Sequence, residues 1–497
     1  MRVSRTGMAF RLALVLALSA VVGCGGGGGG QAGGGAESAP EAANDDTPLA
    51  ERGTFLHIVV PSVVEKGANT EVRLRVLTQA GLPDYDFEGA FRIQASSPQT
   101  QFPEEMVVEP MQEGWFRVQD LVFPEGGVQY IKGSVPGDTV EALANAFNVV
   151  ESPEYNIYWG DLNGHTDLSS GVKAPGVYFW FARAVALLDF VALTDNDAEE
   201  TLQKVMDDVA FADIATLVDE EKNDPGSFVA MVGMEWTSRE YGNRLVYFSE
   251  TPETLPSVAA GYDTPAKLRA ALPPGSVVAV PHPSGSALNP PVDPASLDGE
   301  ELVEVYSSVG SFEMAESLRP ATQETAGSFA NELLAAGHRV GFLGNSDTRL
   351  STPGNPRGFT TDDHPYPGGL TAVLAKELTR ESILEALRER RTYATTGVRY
   401  LMEFTVDGQP MGSEIRVPRG HEAKIYGSLG STSRWTRMEF LGPDGAVKVL
   451  TPEGDDADVV ELEATTPPVN EPTYVYLRGV DEFGGMCWSS PVFLLPE

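Results

Sequence analysis

Residues 188–197 read LDFVALTDND: an acidic Asp189, the apolar run Phe190, Val191, Ala192 and Leu193, then Thr194-Asp195-Asn196-Asp197. A short run that is apolar throughout, rather than alternating, suits a strand buried on both faces, as in a parallel sheet covered by helices. The pattern returns at 228–232, 277–280, 302–306 and 340–343. Helix candidates separate the runs, at 175–188, 202–221, 265–272, 326–336 and 379–391. The last opens on Thr379, a good N-cap, with Glu381 early and Arg388, Arg390 and Arg391 late, matching the helix dipole at both ends. Repeated βα units of this size predict an α/β domain over 152–400, a barrel whose function collects where strands end and loops begin.

The flanks read differently. Residues 53–151 carry strand-like runs at 55–60, 72–77, 91–94, 115–118, 128–133 and 146–150, broken by turns, which predicts an Ig-like β-sandwich. A C-terminal β-domain is expected over 401–497, with Asp444-Gly445 as a hairpin turn. At the other end, Arg2, Arg5 and Arg11 precede an apolar run over 12–22 that is too short to span a bilayer. It ends in Val21-Val22-Gly23-Cys24, which resembles the lipobox of bacterial lipoprotein signals; the competing reading is an ordinary signal peptide with a chance cysteine. The expectation is a signal peptide over 1–24, a Gly-rich tether over 25–52, and lipidation of Cys24. That places the protein on a membrane of the bacterial cell envelope, facing outside the cytoplasm. Cys487 then has no disulfide partner.

Against 71 acidic residues the 497-residue chain sets 35 Lys and Arg, a net charge of −36 that repels phosphate polyanions and excludes nucleic acid as a partner. Six histidines limit any imidazole-rich metal site. Polar residues follow the apolar runs at Asp195, Asn196 and Asp197, at Glu235, at His282, at Glu304 and Ser307, and at Asn345, Ser346 and Asp347. Asp161, Asn163 and His165 share one face of an extended chain. Any one acid of this kind is most simply a helix N-cap or a solvated loop residue; as a set drawn from several strand ends they form a metal-site signature.

The blocks YWGDLNGHTDLSSG (158–171), LDFVALTDND, FVAMVGMEWTS (228–238), GNRLVYF (242–248), VVAVPHPSG (277–285), LVEVYSSVGSFE (302–313), GNSDTR (344–349) and LRERRTYATTG (387–397) together resemble the polymerase-and-histidinol-phosphatase (PHP) superfamily, in a secreted or lipoprotein branch with a C-terminal β-segment. The resemblance implies a distorted (βα)7 PHP-type barrel holding up to three metal ions and, in active relatives, hydrolysing phosphoesters. It also implies losses. Asn163 stands where the first histidine of a His-x-His belongs, His165 is kept, Ser170 and Asn196 replace ligands, Asn243 takes another histidine position, and the closing histidine is Arg349. One implied site is Asn163, His165, Glu235 and Asp347. A second shares Glu235 with Asn243 and His282. The third, Ser170, Asn196 and Arg349, has no strong ligand, and Arg349 is expected to pair with Asp195 or Asp197 as a built-in charge.

Two functions follow from this. One is a surface lipoprotein whose metal site is partly degenerate, a pseudoenzyme that keeps a pocket for a small-molecule or surface ligand. The other is an active metal-dependent hydrolase of phosphoesters using one or two divalent ions (Mn, Mg, Ca or Zn), with Glu235 as bridging carboxylate and Arg349, Arg244 and Arg239 as cationic groups. On the first reading the ions number one or two, or none. His57, His338, His364 and His421 lie outside the blocks and are expected to be structural or exposed, and Trp236 to be packing.

Overall fold

A computed structural model describes residues 54–497 apart from 86, 88, 102–104, 109–114, 199–203, 286–290, 298, 359 and 455–456. The signal peptide, the tether and Cys24 lie outside the described residues.

Each N-terminal run forms a strand except 128–133, which breaks at Tyr130 into Gly127–Gln129 and Ile131–Ser134, strands of two different sheets. Phe55–Val59, Asn69–Leu77 and Trp115–Val122 form one antiparallel sheet, and two further small sheets complete the module. Alternation along the first two strands sends Leu56, Ile58, Leu74 and Val76 into a core shared with Phe91, Phe123 and Phe147.

The central expectation is corrected. Five α-helices stand against thirty strands among the described residues, and the middle of the chain is not a (βα)7 barrel. Asn156–Asp161, Phe190–Leu193 and Val229–Trp236 pair in parallel, as do Val277–Val280, Leu302–Ser307 and Gly341–Gly344. Arg244–Tyr247 joins the two groups and runs antiparallel to both neighbours. No helix separates it from Val229–Trp236, so the βα alternation breaks there. Leu370–Ala375 adds a further antiparallel step against Asn156–Asp161. The sheet then runs on through Thr392–Thr395 into the C-terminal strands Met486–Ser489, Thr473–Asp481, Trp435–Gly442 and Gly445–Leu450, sixteen strands in all. A run such as VAMVGMEW, buried at every position, is equally content beside a parallel or an antiparallel neighbour, and so misleads about alternation.

The helices are shorter than their candidates, the longest spanning Pro175–Ala184 and Asp208–Leu217. Thr379 does cap Arg380–Arg388, accepting from the Ser382 amide at 3.2 Å.

Candidate functional site

Five side chains from the C-terminal ends of the two parallel groups meet in the interior. His165 follows Asn156–Asp161, Glu235 ends its own strand, His282 follows Val277–Val280, Glu304 sits within Leu302–Ser307, and Asp347 follows Gly341–Gly344. All are buried. Local backbone brings the ends together: Gly164 pairs with Thr348 and Asn196 with Glu235 as isolated bridges, and the His165 amide donates to the Thr348 carbonyl at 3.0 Å.

His165 Nε2 lies 3.2 Å from Asp347 Oδ1 and 3.4 Å from Glu235 Oε2. His282 reaches Glu304 Oε1 at 3.0 Å through Nδ1 and Asp347 Oδ2 at 3.4 Å through Nε2. Asp347 thus joins both imidazoles. Burial opposes charge on His282, but Glu304 and Asp347 overcome it and hold its pKa well above the ordinary value. His165 is raised in the same way, against burial, by Asp347 and Glu235. Burial would lift the Asp347 carboxyl, yet His282 and His165 hold it well below the usual range. Glu235 goes the other way, raised by burial and by Asp347.

These contacts leave buried polar atoms unsatisfied. His165 Nδ1, both ring nitrogens of His282 and Glu304 Oε1 have no hydrogen-bond partner of acceptable geometry. Strain gathers at the same place: His282 at φ 46° and Asp347 at φ 49° occupy the left-handed region, which is costly for side chains other than glycine and concentrates at functional sites. Among the described residues no three His, Cys, Asp or Glu side chains are set out as the ligands of one ion. The five instead meet one another. Two imidazoles and three carboxylates that face one another without good hydrogen-bond geometry nevertheless offer the donor types of a divalent-cation site.

Of the other expected ligands, Asn163 donates to Glu304 Oε2 at 3.1 Å and Asn243 to Glu235 Oε1 at 2.6 Å, so both amides lie in the cluster. Asn345 joins them, donating to Glu304 Oε2 at 3.0 Å. Ser170 and Asn196 bond to each other at 3.3 Å, beside Glu235. Arg349 is half-buried and close enough to act on the charge of His165 and His364. Its expected pairing is corrected. Asp195 accepts from the Thr166 amide and from the Thr166 and Ser169 hydroxyls, and Asp197 from the Thr237 and Val258 amides. Arg244 is not brought to the cluster: fully buried, it donates to Glu300, Ser296 and the Tyr241, Gly242 and Asn243 carbonyls. Trp236 is packing, with its indole donating to the Tyr262 carbonyl.

Two members escaped the ligand set read from sequence. Glu304 carried a signal, an acid inside the apolar run LVEVYS. His364, set aside as structural or exposed, lies 3.9 Å from Asp347 Oδ2 and bonds Ser308 Oγ at 2.6 Å. It sits in a loop with no periodicity to mark it.

Comparison with known proteins corrects the superfamily. The matching family model is described as "Protein of unknown function (DUF3604)" and covers residues 336–414, which hold Asp347, Arg349 and His364; it is not a PHP model. An uncharacterized protein of Chlamydia pneumoniae is 25% identical over 369 residues, covering 68% of this chain and 57% of its own. One of Chlamydia muridarum is 33% identical over 150 residues, 27% of this chain and 24% of its own. The chain thus aligns with about a quarter to just over half the length of these relatives. Among solved structures, a Parabacteroides merdae β-glucuronidase is matched over 90% of this chain and 64% of that one, at 8% identity and a TM-score of 0.21.

Proposed function

We propose that the His165, Glu235, His282, Glu304 and Asp347 cluster is the divalent-cation site of a hydrolase of phosphoesters or related esters. The observation that carries this reading is the convergence of buried imidazoles and carboxylates whose atoms on His165, His282 and Glu304 lack a hydrogen bond of good geometry, beside two residues held at strained φ. A divalent ion (Mn, Mg, Ca or Zn), when bound, supplies Lewis-acid activation of water and neutralises developing charge. Glu235, between His165 and Asn243, fixes the orientation of both. Arg349, on the half-buried edge, places a permanent cation where an anionic substrate group would lie.

Glu235→Gln tests the reading, since it keeps the shape and removes the charge. Hydrolysis of phosphomonoester, phosphodiester and carboxyl-ester reporters is expected with Mn²⁺ or Mg²⁺, and is expected to fall at least about a hundredfold in the variant. Turnover that survives the change sinks the assignment.

One feature favours a second reading, a binding pocket without turnover. The amides of Asn163, Asn345 and Asn243 already occupy Glu304 Oε2 and Glu235 Oε1, which weakens both carboxylates as ligands. A folded protein that retains Mn²⁺ but turns over none of the reporters supports it.

The chain is proposed to face outside the cytoplasm, anchored to an envelope membrane through Cys24, on the strength of the Val21-Val22-Gly23-Cys24 stretch. Cell fractionation of Cys24→Ser is expected to release it; a variant that stays with the membranes refutes the anchor.

A further inference from the structure

The N-terminal sheet has a second face. Leu56, Ile58, Leu74 and Val76 enter the sandwich core, so alternation turns Phe55, His57, Arg73 and Arg75 the other way. Across the two strands His57 is paired with Arg75. This basic face is half-buried at Phe55, His57 and Arg73 and buried at Arg75; it lies past the C-terminal end of helix Pro175–Ala184.

The chain leaves that helix through a turn in which Leu187 has φ 55°. Three successive carbonyls just past the helix meet donors. His57 Nε2 lies 3.2 Å from the Ala186 oxygen. Arg399 donates to Ala186 at 2.9 Å and to Leu187 at 3.1 Å, and Arg73 to Leu188 at 3.3 Å. Arg73 also pairs with Asp189 Oδ1 at 2.6 Å, while Asp189 Oδ2 accepts from the Trp159 amide at 2.9 Å. The Trp159 indole in turn donates to Ser62 of the sandwich. The sandwich therefore grips Asn156–Asp161 and Phe190–Leu193, the strands that lead to His165 and to Asp195.

We propose that this contact is an acid-released clamp: among the described residues a proton on His57 would meet arginines and one carboxylate that is already paired, so acidification frees the sandwich and loosens the strands that support the central cluster. The charged groups on this face are Arg73, Arg75 and Arg399, with Arg357 stacked 4.2 Å above the Phe55 ring. Against them stands Asp189, already paired with Arg73. Burial first, then Arg399 and Arg73, push the imidazole down to about 3, against the pull of the Ala186 carbonyl. Released, the ring returns to near its ordinary value of 6.5. The free face then binds the proton that the docked face refuses. Below pH 6.5 release is favoured by up to roughly tenfold per pH unit, until about pH 3.

Hydrogen exchange on the full chain at pH 7 and pH 5, corrected for intrinsic rates, reads this above the range of ordinary carboxylates. Protection of Phe55–Val59 and Asn156–Asp161, relative to Lys424–Gly430 in the C-terminal sheet, is expected to fall at least about tenfold. His57→Gln keeps a donor toward the Ala186 carbonyl but cannot titrate, and is expected to lose less than about twofold. Equal losses in parent and variant overturn the clamp. In the parent, magnetic resonance of the His57 ring gives an independent reading: a neutral ring in the docked form at pH 5 supports the proposal, and a ring that titrates near 6.5 with protection intact overturns it.

Discussion

The Glu313, Arg478 and Glu439 group, buried except for a half-buried Arg478, and the buried His165, Glu235, His282, Glu304 and Asp347 group are both rich in charge and both tied to the sixteen-stranded sheet, yet they are built on opposite principles. Glu313 accepts from Tyr476 at 2.7 Å, from Trp488 at 2.7 Å and from Arg478 at 2.9 Å on each oxygen. Arg478 turns its Nε and second terminal nitrogen to Glu439 Oε2 at 3.0 and 2.7 Å, and Glu439 Oε1 takes Arg437 at 2.6 Å. Every lone pair that matters there has a donor. In the central group carboxylates and imidazoles face one another with donor atoms left over. The first arrangement holds the loop at 313 to the C-terminal strands. The second leaves its charges facing one another without saturating them, which is what supports the ligand site proposed for it.

Glu313→Ala should separate the two groups most strongly. It leaves the Trp488 indole, the Tyr476 hydroxyl and one terminal nitrogen of Arg478 without their acceptor, while Arg478 keeps Glu439, and is expected to cost about 2–4 kcal/mol in urea unfolding. A loss under about 1 kcal/mol would mean that the saturated cluster is not structural either.

Acid gives the next contrast. Burial works against the Glu439 charge, but Arg437 and Arg478 win and hold its pKa below the ordinary value of 4.5. Its contribution is thus fully present above about pH 4.5 and is lost as pH falls through the depressed value. Glu235 is raised, so its charge opposes folding near neutrality and is relieved on acidification. Unfolding of Glu439→Gln measured from pH 6 to pH 3 should show a flatter decline than the parent. An identical profile would remove Glu439 from the account.

The smallest effect is expected for the stability of Glu235→Gln, within about 1 kcal/mol of the parent, since the amide keeps its contact with Asn243 while a poorly solvated charge disappears. A loss comparable to that of Glu313→Ala would make the central group structural, whatever its metal chemistry.

Much of the site was legible because strand ends carry a local signature. His165, Glu235, His282 and Asp347 each stand at or just after an apolar run, and the chain does bring them together. Asp161, Asp195 and Asp197 carry the same signature yet serve backbone amides instead, Asp161 those of Ser346 and Gly354, Asp195 that of Thr166, and Asp197 those of Thr237 and Val258. Nothing in their spacing separates an acid that ties loops from one that faces a ligand; only the positions of the amides do so. Arg244 failed for a related reason, because an arginine after the turn at Gly242 shows no sign that Glu300 lies opposite.

Local patterning alone settles most of the strands and their buried faces. Periodicity of two places Leu56, Ile58, Leu74 and Val76 inward, and unbroken apolar runs mark strands covered on both sides. Which strands pair, and in which direction, is decided by contacts across long stretches of chain: the antiparallel course of Arg244–Tyr247 and the continuation into Met486–Ser489 turn an expected βα barrel into a mixed sheet. His364 and His57 gain their roles in the same way. One is carried to Asp347 by a loop, the other to a helix end by the docking of a sheet, and neither event leaves a trace in the residues beside them.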